Sequence, residues 1–419
     1  MSFVKKIRGK IYSVSKKAGD RLGFDLPYFV ENGFWMLLNQ GVVMLSGLLT
    51  SVLFARLFDK SVYGKYQFVL SLIGFIAFFS VPGLNASLIR SVAGGYDGDY
   101  RSAVRFSFVR SLFGSLILFF AAFYYLHYSS DENMFSVLLV AALFFPFMKA
   151  PDKWQALFKG KSLFDEFTKR TAVQTVARTL LIIVAVLFFP DKLLPVFTAY
   201  VFGTAFFHVL WYFESLKFIE NDKKGKDTFT YGIFLTKLGV LNTLVNHFDK
   251  IIVGLLDIKM LAVYSVSLSL VNVIKNFIKS VSAVTFPKFA GRNADLTLFQ
   301  MFLIFVAGFS AAAVSYFFAD DIIRLLYTDK YSESVKYFKF FVLIIPLFAL
   351  SSVLSKKILA QKEERKLVLL RVPVPLLTLI LSVSVFVVSK RTEYFILTKF
   401  FLYHILNFAV LILPVKKKK

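Results

Sequence analysis

The sequence has no cysteine, which excludes disulfide bonds and thiolate catalysis. It has only four histidines, and these are dispersed among different predicted helices as His127, His208, His247 and His404. No HExxH, CxxC, GxxxxGKS or GxSxG motif occurs. These absences give no support to metal, nucleotide or hydrolase chemistry. We therefore expect no metal site, no cofactor, no nucleic-acid partner and no enzymatic activity.

Acidic residues are also scarce: 26 aspartates and glutamates stand against 50 lysines and arginines, giving a formal net charge of +24. Yet 57% of the residues are hydrophobic, 52 of them are phenylalanine, and the mean hydropathy is +0.66. A soluble domain could not bury that much apolar surface, whereas a membrane protein exposes it to lipid and confines its charge to loops and pores. The chain is therefore predicted to be an integral membrane protein.

Apolar stretches of bilayer length recur along the whole chain and predict an all-α fold of about twelve transmembrane helices. They are expected near residues 32–57, 65–89, 105–127, 134–157, 170–190, 193–216, 229–256, 260–287, 296–318, 334–357, 367–389 and 394–415. A polar stretch, 217–228, separates the sixth from the seventh. We expect it to be a cytoplasmic linker between two six-helix lobes, 32–216 and 229–415, that surround a central cavity.

Positive charge is concentrated in every second loop, with few basic residues in the others. The basic set comprises segment 1–31, Arg90, Arg101, Arg105, Lys159, Lys161, Lys169, Arg170, Lys217, Lys223, Lys224, Lys226, Lys288, Arg292, Lys356, Lys357, Lys362, Arg365, Lys366 and the tail 416–419. Cytoplasmic loops carry such an excess of lysine and arginine, so both termini are expected in the cytoplasm. Segment 1–31 reads as a retained basic amphipathic segment on an anionic leaflet and not as a signal peptide.

The two halves of the chain show an internal repeat when they are aligned without gaps. The matched pairs are Gly41 with Gly239, Val42 with Val240, Leu57 with Leu255, Asp59 with Asp257, Tyr66 with Tyr264, Leu70 with Leu268, Ser71 with Ser269 and Leu72 with Leu270. Because the matched spans run in the same direction, the repeat is parallel, with its axis along the membrane normal. This arrangement is typical of two-lobed transporters that bind their substrate between the lobes.

Lysines and asparagines lie inside the eighth predicted span. At about 100° per residue, Asn272, Lys275, Asn276 and Lys279 fall on one helical face. An ionisable group at membrane depth is unfavourable unless it faces protein or water. This face is therefore predicted to line a polar cavity in the second lobe.

The seventh predicted span carries a second polar cluster, Asn242, Asn246, Asp249 and Lys250, with His247 beside it. One interpretation is a cavity wall, in which Asp249 exchanges a proton or Na⁺. The alternative is that Asp249 and Lys250 reach the outer interface and have no transport role.

Polar residues within the first lobe are the other candidate cavity lining. They are Asn39 and Gln40 of the first span, Asn85 of the second and Gln174 of the fifth. Two prolines, Pro146 and Pro151, break the fourth span next to Lys149 and Lys153. This break predicts either a substrate site or a kink in which Asp152 pairs locally and the lysines reach the interface.

Two arginines lie at membrane depth in the first lobe. Arg178 is predicted about two turns from the cytoplasmic end of the fifth span, and Arg110 at a similar depth in the third. A guanidinium binds phosphate oxygens through a bidentate fork and keeps its charge. We expect Arg178, with Lys149 or Lys153, to receive a phosphate group from the cytoplasmic side.

Several short motifs resemble the polysaccharide transporter family. They are Ala55-Arg56-Leu57-Phe58, Val62-Tyr63-Gly64-Lys65-Tyr66, Pro82-Gly83-Leu84-Asn85 and Ala93-Gly94-Gly95-Tyr96 in the first half, and Phe248-Asp249-Lys250-Ile251-Ile252-Val253-Gly254 in the second. The family comprises Wzx-type O-antigen and capsule repeat-unit flippases of the multidrug/oligosaccharidyl-lipid/polysaccharide (MOP) superfamily.

The resemblance implies a monomeric flippase in the bacterial cytoplasmic (inner) membrane. It would move an undecaprenyl-pyrophosphate-linked oligosaccharide to the outer leaflet by alternating access, in contact with membrane lipids and with a polysaccharide polymerase as a further partner. A cationic cavity suits pyrophosphate, and membrane potential or an H⁺ or Na⁺ gradient would supply the energy. The alternatives are a cation-coupled multidrug exporter of the same fold and a flippase for a teichoic-acid or peptidoglycan precursor.

Overall fold

The computed structural model describes residues 26–129, 131–283, 296–360 and 363–413. Most of the expected amphipathic segment 1–31, the basic residues Lys288, Arg292 and Lys362, and the tail 416–419 lie outside these ranges. Within them the chain is built of α-helices and short 3₁₀ turns, and no strand is present. The predicted all-α fold is confirmed.

The first lobe contains eight α-helices, because proline and glycine break two of the spans. They are α1 (Leu26–Leu57), α2 (Lys60–Ile76), α3 (Gly83–Ala93), α4 (Asp99–Tyr128), α5 (Glu132–Lys149), α6 (Trp154–Gly160), α7 (Phe164–Phe188) and α8 (Leu193–Ser215). The break between α2 and α3 passes through Val81, whose φ of 54° is left-handed, and Pro82. The break between α5 and α6 is a 3₁₀ turn at Pro151–Lys153.

In the second lobe, after the linker, residues 228–283, 296–360 and 363–413 form nine described helices. They are α9 (Thr228–Leu256), α10 (Ile258–Ala283), α11 (Leu298–Phe317), α12 (Ala319–Tyr327), α13 (Glu333–Val342), α14 (Ile345–Ala360), α15 (Glu364–Arg371), α16 (Pro373–Ser389) and α17 (Thr392–Ile412). Between α13 and α14 the chain bends by 46°, next to Pro346, which lacks a backbone donor.

Ten helices of the described chain are long and apolar enough to span a membrane, and the bent pair α13 and α14 makes eleven. This count is close to the expected number of about twelve. Helix α9, at 29 residues, is long enough to span but is not among them. Its asparagines, threonines and charged residues lower its hydropathy. They include the polar cluster that was predicted in the seventh span.

The helix ends form two faces, which we name by their loops. At the linker end, the linker lies against the loop between α3 and α4: Gly98 N donates to Lys223 O (2.9 Å), and Asp97 accepts from Glu220 N (2.9 Å). At the opposite end, Asp59 N donates to Asp191 (3.0 Å) and Lys65 pairs with Asp131 (2.6 Å). The loops therefore alternate between two faces, as the charge pattern predicts.

Two buried aspartates fix the linker to the first lobe. Asp97 is 1% exposed and pairs with Lys161 at 2.8 Å, and Lys161 also pairs with Glu220 of the linker at 3.0 Å. Burial alone would lower the pKa of Lys161, but the hydrogen bonds and charges of these two carboxylates outweigh it and raise that pKa. Asp99, also 1% exposed, accepts from Gly225 N (2.9 Å) and from the Thr228 hydroxyl (2.6 Å).

The structure reproduces the repeat at the level of helices. A shift of 198 residues, which takes Leu57 to Leu255, places the first residue of α2, Lys60, on the first residue of α10, Ile258. The pair α1 and α2 thus corresponds to α9 and α10. Tyr66 and Tyr264, a matched pair, are both buried.

The lobes touch closely along a seam formed by α2 and α3 on one side and α9 and α10 on the other. Near the linker end a Cβ at Gly83 would lie 2.3 Å from Gly232 O, and near the opposite end a Cβ at Gly64 would lie 1.9 Å from Ile258 O. Only glycine allows backbones to approach so closely. This seam is therefore closed along its length.

Candidate functional site

A polar cavity of about 190 Å³ lies in the first lobe and reaches the second; we call it the Arg178 cavity. Its lining comes from α1, α2, α7 and α8, with one residue from α10. The lining residues are Ser46, Gly47, Thr50, Ser51, Phe54, Tyr63, Tyr66, Gln67, Leu70, Arg178, Ile182, Tyr200 and Ser269. Hydroxyl groups and aromatic rings dominate this lining, and Arg178 is its one cation.

The guanidinium of Arg178 lies over the ring of Tyr200, 5.3 Å from the ring centroid. Among the described residues no carboxylate pairs with it. A partly buried cation without a counter-ion creates a positive potential inside the cavity. The cavity is therefore suited to an anionic group.

A hydrogen-bonded network centred on Ser51 closes the cavity toward the opposite end. The Ser51 hydroxyl lies 3.0 Å from Tyr63 Oη, 3.1 Å from Ser269 Oγ and 3.1 Å from Tyr327 Oη. Gln67 Nε2 also donates to Tyr63 Oη at 3.0 Å. Since Ser269 and Tyr327 belong to the second lobe, this network joins the two lobes.

Arg56 reinforces the same closure. Its Nε donates to Leu326 O at 2.8 Å, and its guanidinium also donates to Leu325 O. This arginine belongs to the Ala55-Arg56-Leu57-Phe58 motif. The motif therefore contributes to the contact between lobes at the opposite end, a role that the sequence did not reveal.

The predicted depth of Arg178 is wrong. Helix α7 begins at Phe164, six residues before the expected start, so Arg178 lies 14 residues, about 21 Å, from the linker end of its helix. Its neighbours Ser51 and Tyr63 lie near the turn at the opposite end. The acidic first turn, Asp165 and Glu166, belongs to the helix and was not recognised as its start.

Buried polar atoms without a described partner extend from the cavity along α1 and α7. They are Asn39 Oδ1, Thr171 Oγ1 and Gln174 Oε1, and Gln174 is 7% exposed. Buried polar atoms are nearly always hydrogen-bonded, so we expect ordered water here. Gln40 on α1 and Asn85 on α3 are half-buried, and Asn85 Oδ1 also lacks a described partner.

A cationic cluster lies in the second lobe, formed by Lys275 and Lys279 of α10. Lys275 Nζ donates to His404 Nε2 of α17 at 3.0 Å and lies 4.9 Å from the ring centroid of Phe348 and 5.3 Å from that of Phe400. Lys279 Nζ lies 5.9 Å from the ring centroid of Phe348. Neither lysine pairs with a carboxylate among the described residues.

The four polar residues of α10 do not point in quite the same direction. Lys275 turns inward toward α14 and α17, whereas Asn272 and Lys279 are exposed and Asn276 is half-exposed. Ser269, on the same helix, lies in the Arg178 cavity, ten residues or about 15 Å from Lys279. The two cationic sites are therefore displaced from each other along the membrane normal.

Asp249 of α9 is 2% exposed and is paired with a residue of α17, the last described helix of the second lobe. Its Oδ2 accepts from Lys399 Nζ of α17 at 2.8 Å and from the Tyr264 hydroxyl, and its Oδ1 has no described partner. The adjacent Lys250 is not its partner, because consecutive residues point in different directions from a helix.

The remaining polar residues of α9 have no described hydrogen bond or ion pair with Asp249 or Lys399. Asn246 is exposed and Asn242 is half-buried, with a buried Oδ1 that lacks a described partner. His247 packs against α2, where a Cβ at Gly74 would lie 2.2 Å from the His247 ring. His247 therefore belongs to the contact between lobes and not to the Asp249 pair.

Neither lysine at the break in the fourth span lines the Arg178 cavity. Lys153 is fully buried, pairs with Asp152 at 2.9 Å and donates to Lys149 O at 3.4 Å. The local pairing with Asp152 is thus what the structure shows, and Lys153 does not face a cavity. Lys149 is half-buried.

His208 stabilises the same break, since its Nδ1 donates to Met148 O at 2.6 Å. A carbonyl next to a proline break loses its helical partner, and this histidine supplies one. Arg110, by contrast, is exposed on α4, with its guanidinium 5.4 Å from the centroid of the Phe113 ring, and does not line the Arg178 cavity.

Sequence reasoning missed two residues of the second lobe: Lys399, which pairs with Asp249, and His404, which bonds to Lys275. It also missed the tyrosines that line the Arg178 cavity. Both α17 residues are ionisable groups within a predicted span, a signal that alone marks functional candidates. Within the described ranges, no group of three histidine, aspartate or glutamate side chains could hold a metal ion.

Comparison with known proteins supports a transporter fold. A family model described as polysaccharide biosynthesis protein matches residues 53–336. The structure resembles the lipid II flippase MurJ in an inward closed conformation, with a TM-score of 0.65, 14% identity and coverage of 91% of this chain and 86% of that one. It also resembles the eukaryotic MATE transporter AtDTX14, with a TM-score of 0.63, 13% identity and coverage of 92% and 93%.

A MOP superfamily transporter from Pyrococcus furiosus shares the fold as well, with a TM-score of 0.59, 12% identity and coverage of 92% of this chain and 93% of that one. Comparison with curated protein sequences finds no match. The solved structures establish the two-lobed fold of this multi-pass membrane protein.

Proposed function

We propose that this chain, which belongs to the polysaccharide biosynthesis protein family, is a flippase for polyprenyl-pyrophosphate-linked oligosaccharides. The family match over residues 53–336 and the fold shared with a lipid II flippase support a transporter of this kind. The observation that carries the proposal is the pair of cationic sites, one in each lobe, neither of which is neutralised by a described carboxylate.

The pyrophosphate is proposed to bind at Lys275 and Lys279. These lysines lie in the half of α10 nearer the linker end, and Lys279 is exposed. If the linker is cytoplasmic, as the distribution of lysine and arginine in the loops favours, this is the depth at which a pyrophosphate enters from the inner leaflet. Lys149 is proposed as the first-lobe cation at this level.

A gap between α1 and α10 is proposed to admit the polyprenyl tail. The two helices meet at Ser51 and Ser269, in the half nearer the opposite end. Toward the linker end, Phe34, Leu37 and Leu38 of α1 and Phe277 of α10 are exposed. Such apolar side chains on both edges suit a lipid tail that remains in the bilayer while the headgroup moves.

The closed network at Ser51, and the exposed apolar side chains of α1 and α10 nearer the linker end, fit an inward-facing state. Rocking of the lobes would open the opposite end and expose the headgroup to the outer leaflet. In this proposal the protein works in the bacterial cytoplasmic membrane as a monomer, with both termini inside, and delivers the flipped lipid to a polysaccharide polymerase.

Membrane potential is proposed as the driving force, because the headgroup is negative and moves outward. At 100 mV, inside negative, outward movement of each negative charge is favoured by about 2.3 kcal/mol. An H⁺ or Na⁺ gradient acting at Asp249 is the alternative source of energy. The cation-coupled drug exporter is less well supported, because Asp249 is already paired with Lys399.

The test is transbilayer movement in proteoliposomes that contain the purified full-length chain. One set carries a polyprenyl-pyrophosphate oligosaccharide, a second carries lipid II and a third carries a cationic dye, each with and without an imposed potential. We expect movement of the oligosaccharide lipid above that in protein-free liposomes, and acceleration by an inside-negative potential. Movement of the dye alone would overturn the proposal in favour of a drug exporter.

A further inference from the structure

The Arg178 cavity is deeper than the proposed pyrophosphate site, and this depth limits what it can bind. Ser269, in the cavity wall, lies about 15 Å from Lys279 along α10, toward the opposite end. A substrate whose pyrophosphate rests at Lys279 and whose tail stays in the membrane can reach that far only with its sugars. The cavity therefore lies at the level of the glycan.

The volume of the cavity limits the size of the group it holds. Ligand sites for drug-sized molecules measure about 300–1,000 Å³, and this cavity measures about 190 Å³. One monosaccharide unit fits such a space, while a whole repeat unit does not. The hydroxyls of Ser46, Thr50 and Tyr63 and the ring of Tyr66 match the mixed polar and apolar surface of a sugar.

The internal repeat bears on the charge of the sugar unit that the cavity would bind. The shift of 198 residues places Ser51, in the cavity wall, on Asp249 of the second lobe. There the carboxylate of Asp249 neutralises a cation from a later helix, Lys399. In the first lobe the residue at the carboxylate position is serine, the position that matches Lys399 is Val201, and the cation that lines the cavity is Arg178 of α7.

We propose that the Arg178 cavity binds a carboxylate-bearing sugar of the transported glycan, a uronic acid unit, whose carboxylate takes the place that Asp249 fills in the second lobe. Arg178 binds the carboxylate through its guanidinium, and Tyr66 and Tyr200 pack against the sugar ring. This inference rests on the proposed flippase function and adds to it a preference for acidic glycans.

The experiment compares three lipids in the same proteoliposomes: polyprenyl pyrophosphate without sugar, with a glucose-containing oligosaccharide, and with the matched glucuronate-containing oligosaccharide. The parent is expected to move the glucuronate lipid at least about tenfold faster than the glucose lipid at equal concentration. Arg178→Gln should remove this preference, so that the glucuronate lipid moves no faster than the glucose lipid. Arg178→Lys should retain only part of the preference, since an ammonium lacks the guanidinium fork.

The matched control is Lys169→Gln, which removes a cation from the same helix α7 at an exposed position. It should keep the full preference for glucuronate. If Arg178→Gln instead slows all three lipids equally, Arg178 binds the pyrophosphate and the inference is overturned. Equal rates for the glucose and glucuronate lipids in the parent would overturn it as well.

A binding measurement separates this inference from the flippase proposal. Free glucuronate and free glucose are titrated onto the purified protein in lipid nanodiscs by calorimetry. Binding of glucuronate that is lost in Arg178→Gln would support the cavity assignment even if no lipid is flipped. Flipping of the oligosaccharide lipids without any glucuronate preference or glucuronate binding would remove the cavity assignment and leave the flippase proposal intact.

Discussion

The two lobes use equivalent positions of the repeat in opposite ways. In the second lobe Asp249 is buried, accepts a hydrogen bond from Tyr264 and pairs with Lys399 at 2.8 Å. In the first lobe the matched position is Ser51, which shares hydroxyl bonds with Tyr63 and leaves Arg178 without a described carboxylate partner. One lobe has an internal ion pair, and the other has a cavity with an unpaired cation.

This difference shows how one helical scaffold can provide both stability and binding. A buried ion pair whose charges are mutually satisfied holds helices together and has little affinity for an added ion, whereas a buried cation without a partner stays available to a ligand. The comparison predicts that removing the charge of Arg178 leaves the protein stable but weakens ligand binding. Breaking the pair of Asp249 and Lys399 should instead lower the stability of the protein.

The largest expected effect is from Lys399→Met. Breaking a buried pair by removing one partner costs about 3–5 kcal/mol, because Asp249 would remain buried and uncompensated. Thermal unfolding of the purified variant in detergent should show a large drop in stability, and Asp249→Asn combined with Lys399→Met should recover most of it. Lys250→Met is the matched control, because no described carboxylate pairs with Lys250 at 4 Å or less, and it should have a small effect. Equal losses in Lys399→Met and Lys250→Met would contradict the assigned pair.

The second-largest expected effect is a loss of transport when the cationic cluster of Lys275 and Lys279 is neutralised. Changing both Lys275 and Lys279 to Gln should abolish flipping of the oligosaccharide lipid and leave expression and membrane insertion near normal. The reason is that Lys279 is exposed and Lys275 bonds to His404, with no ion pair to lose. The proteoliposome assay measures it, and unchanged flipping by the double variant would show that the pyrophosphate binds elsewhere.

The sequence predicted the fold better than the site. Hydropathy and charge periodicity identify spans and alternate loops, because a bilayer imposes both along the whole chain. The family resemblance drawn from the Ala55-Arg56-Leu57-Phe58 and Tyr63 motifs is confirmed. Depth was harder: Arg178 was placed near the cytoplasmic end because the polar first turn of α7 was taken as loop.

Pairing between distant helices could not be predicted from one sequence. Lys399 follows Asp249 by 150 residues, and helix periodicity gives the face of each residue but not which helix it meets. Lys153 was expected in a cavity because a broken span often marks a binding site, yet its short distance to Asp152 makes it part of the break. Local sequence near a proline does not distinguish these two outcomes.

A smaller effect is expected when the first lobe is converted to resemble the second. Ser51→Asp places a carboxylate in the wall of the cavity that Arg178 lines, so the free energies of unfolding of Ser51→Asp, Arg178→Gln and the double variant should show a favourable coupling of about 0.5–3 kcal/mol. Ser51→Asp should also lose the glucuronate preference, because Arg178 then has an internal partner. Ser51→Asn, similar in size and uncharged, is the control and should retain the preference. A coupling near zero would mean that position 51 and Arg178 do not interact.

The smallest expected effect concerns energy coupling at Asp249. Because Lys399 already supplies a positive charge at this carboxylate, and Lys250 is nearby, a Na⁺ ion would be repelled and we expect little dependence of flipping on a Na⁺ gradient. Parent and Asp249→Asn proteoliposomes are compared under an inside-negative potential without an ion gradient, and under a Na⁺ or H⁺ gradient at zero potential. The variant is partly destabilised, so rates are normalised to folded protein. Both proteins should respond to potential and neither to the gradients. Gradient-driven flipping by the parent that disappears in Asp249→Asn would instead make Asp249 the coupling site, and the second lobe would then bind an ion where the pair with Lys399 must open.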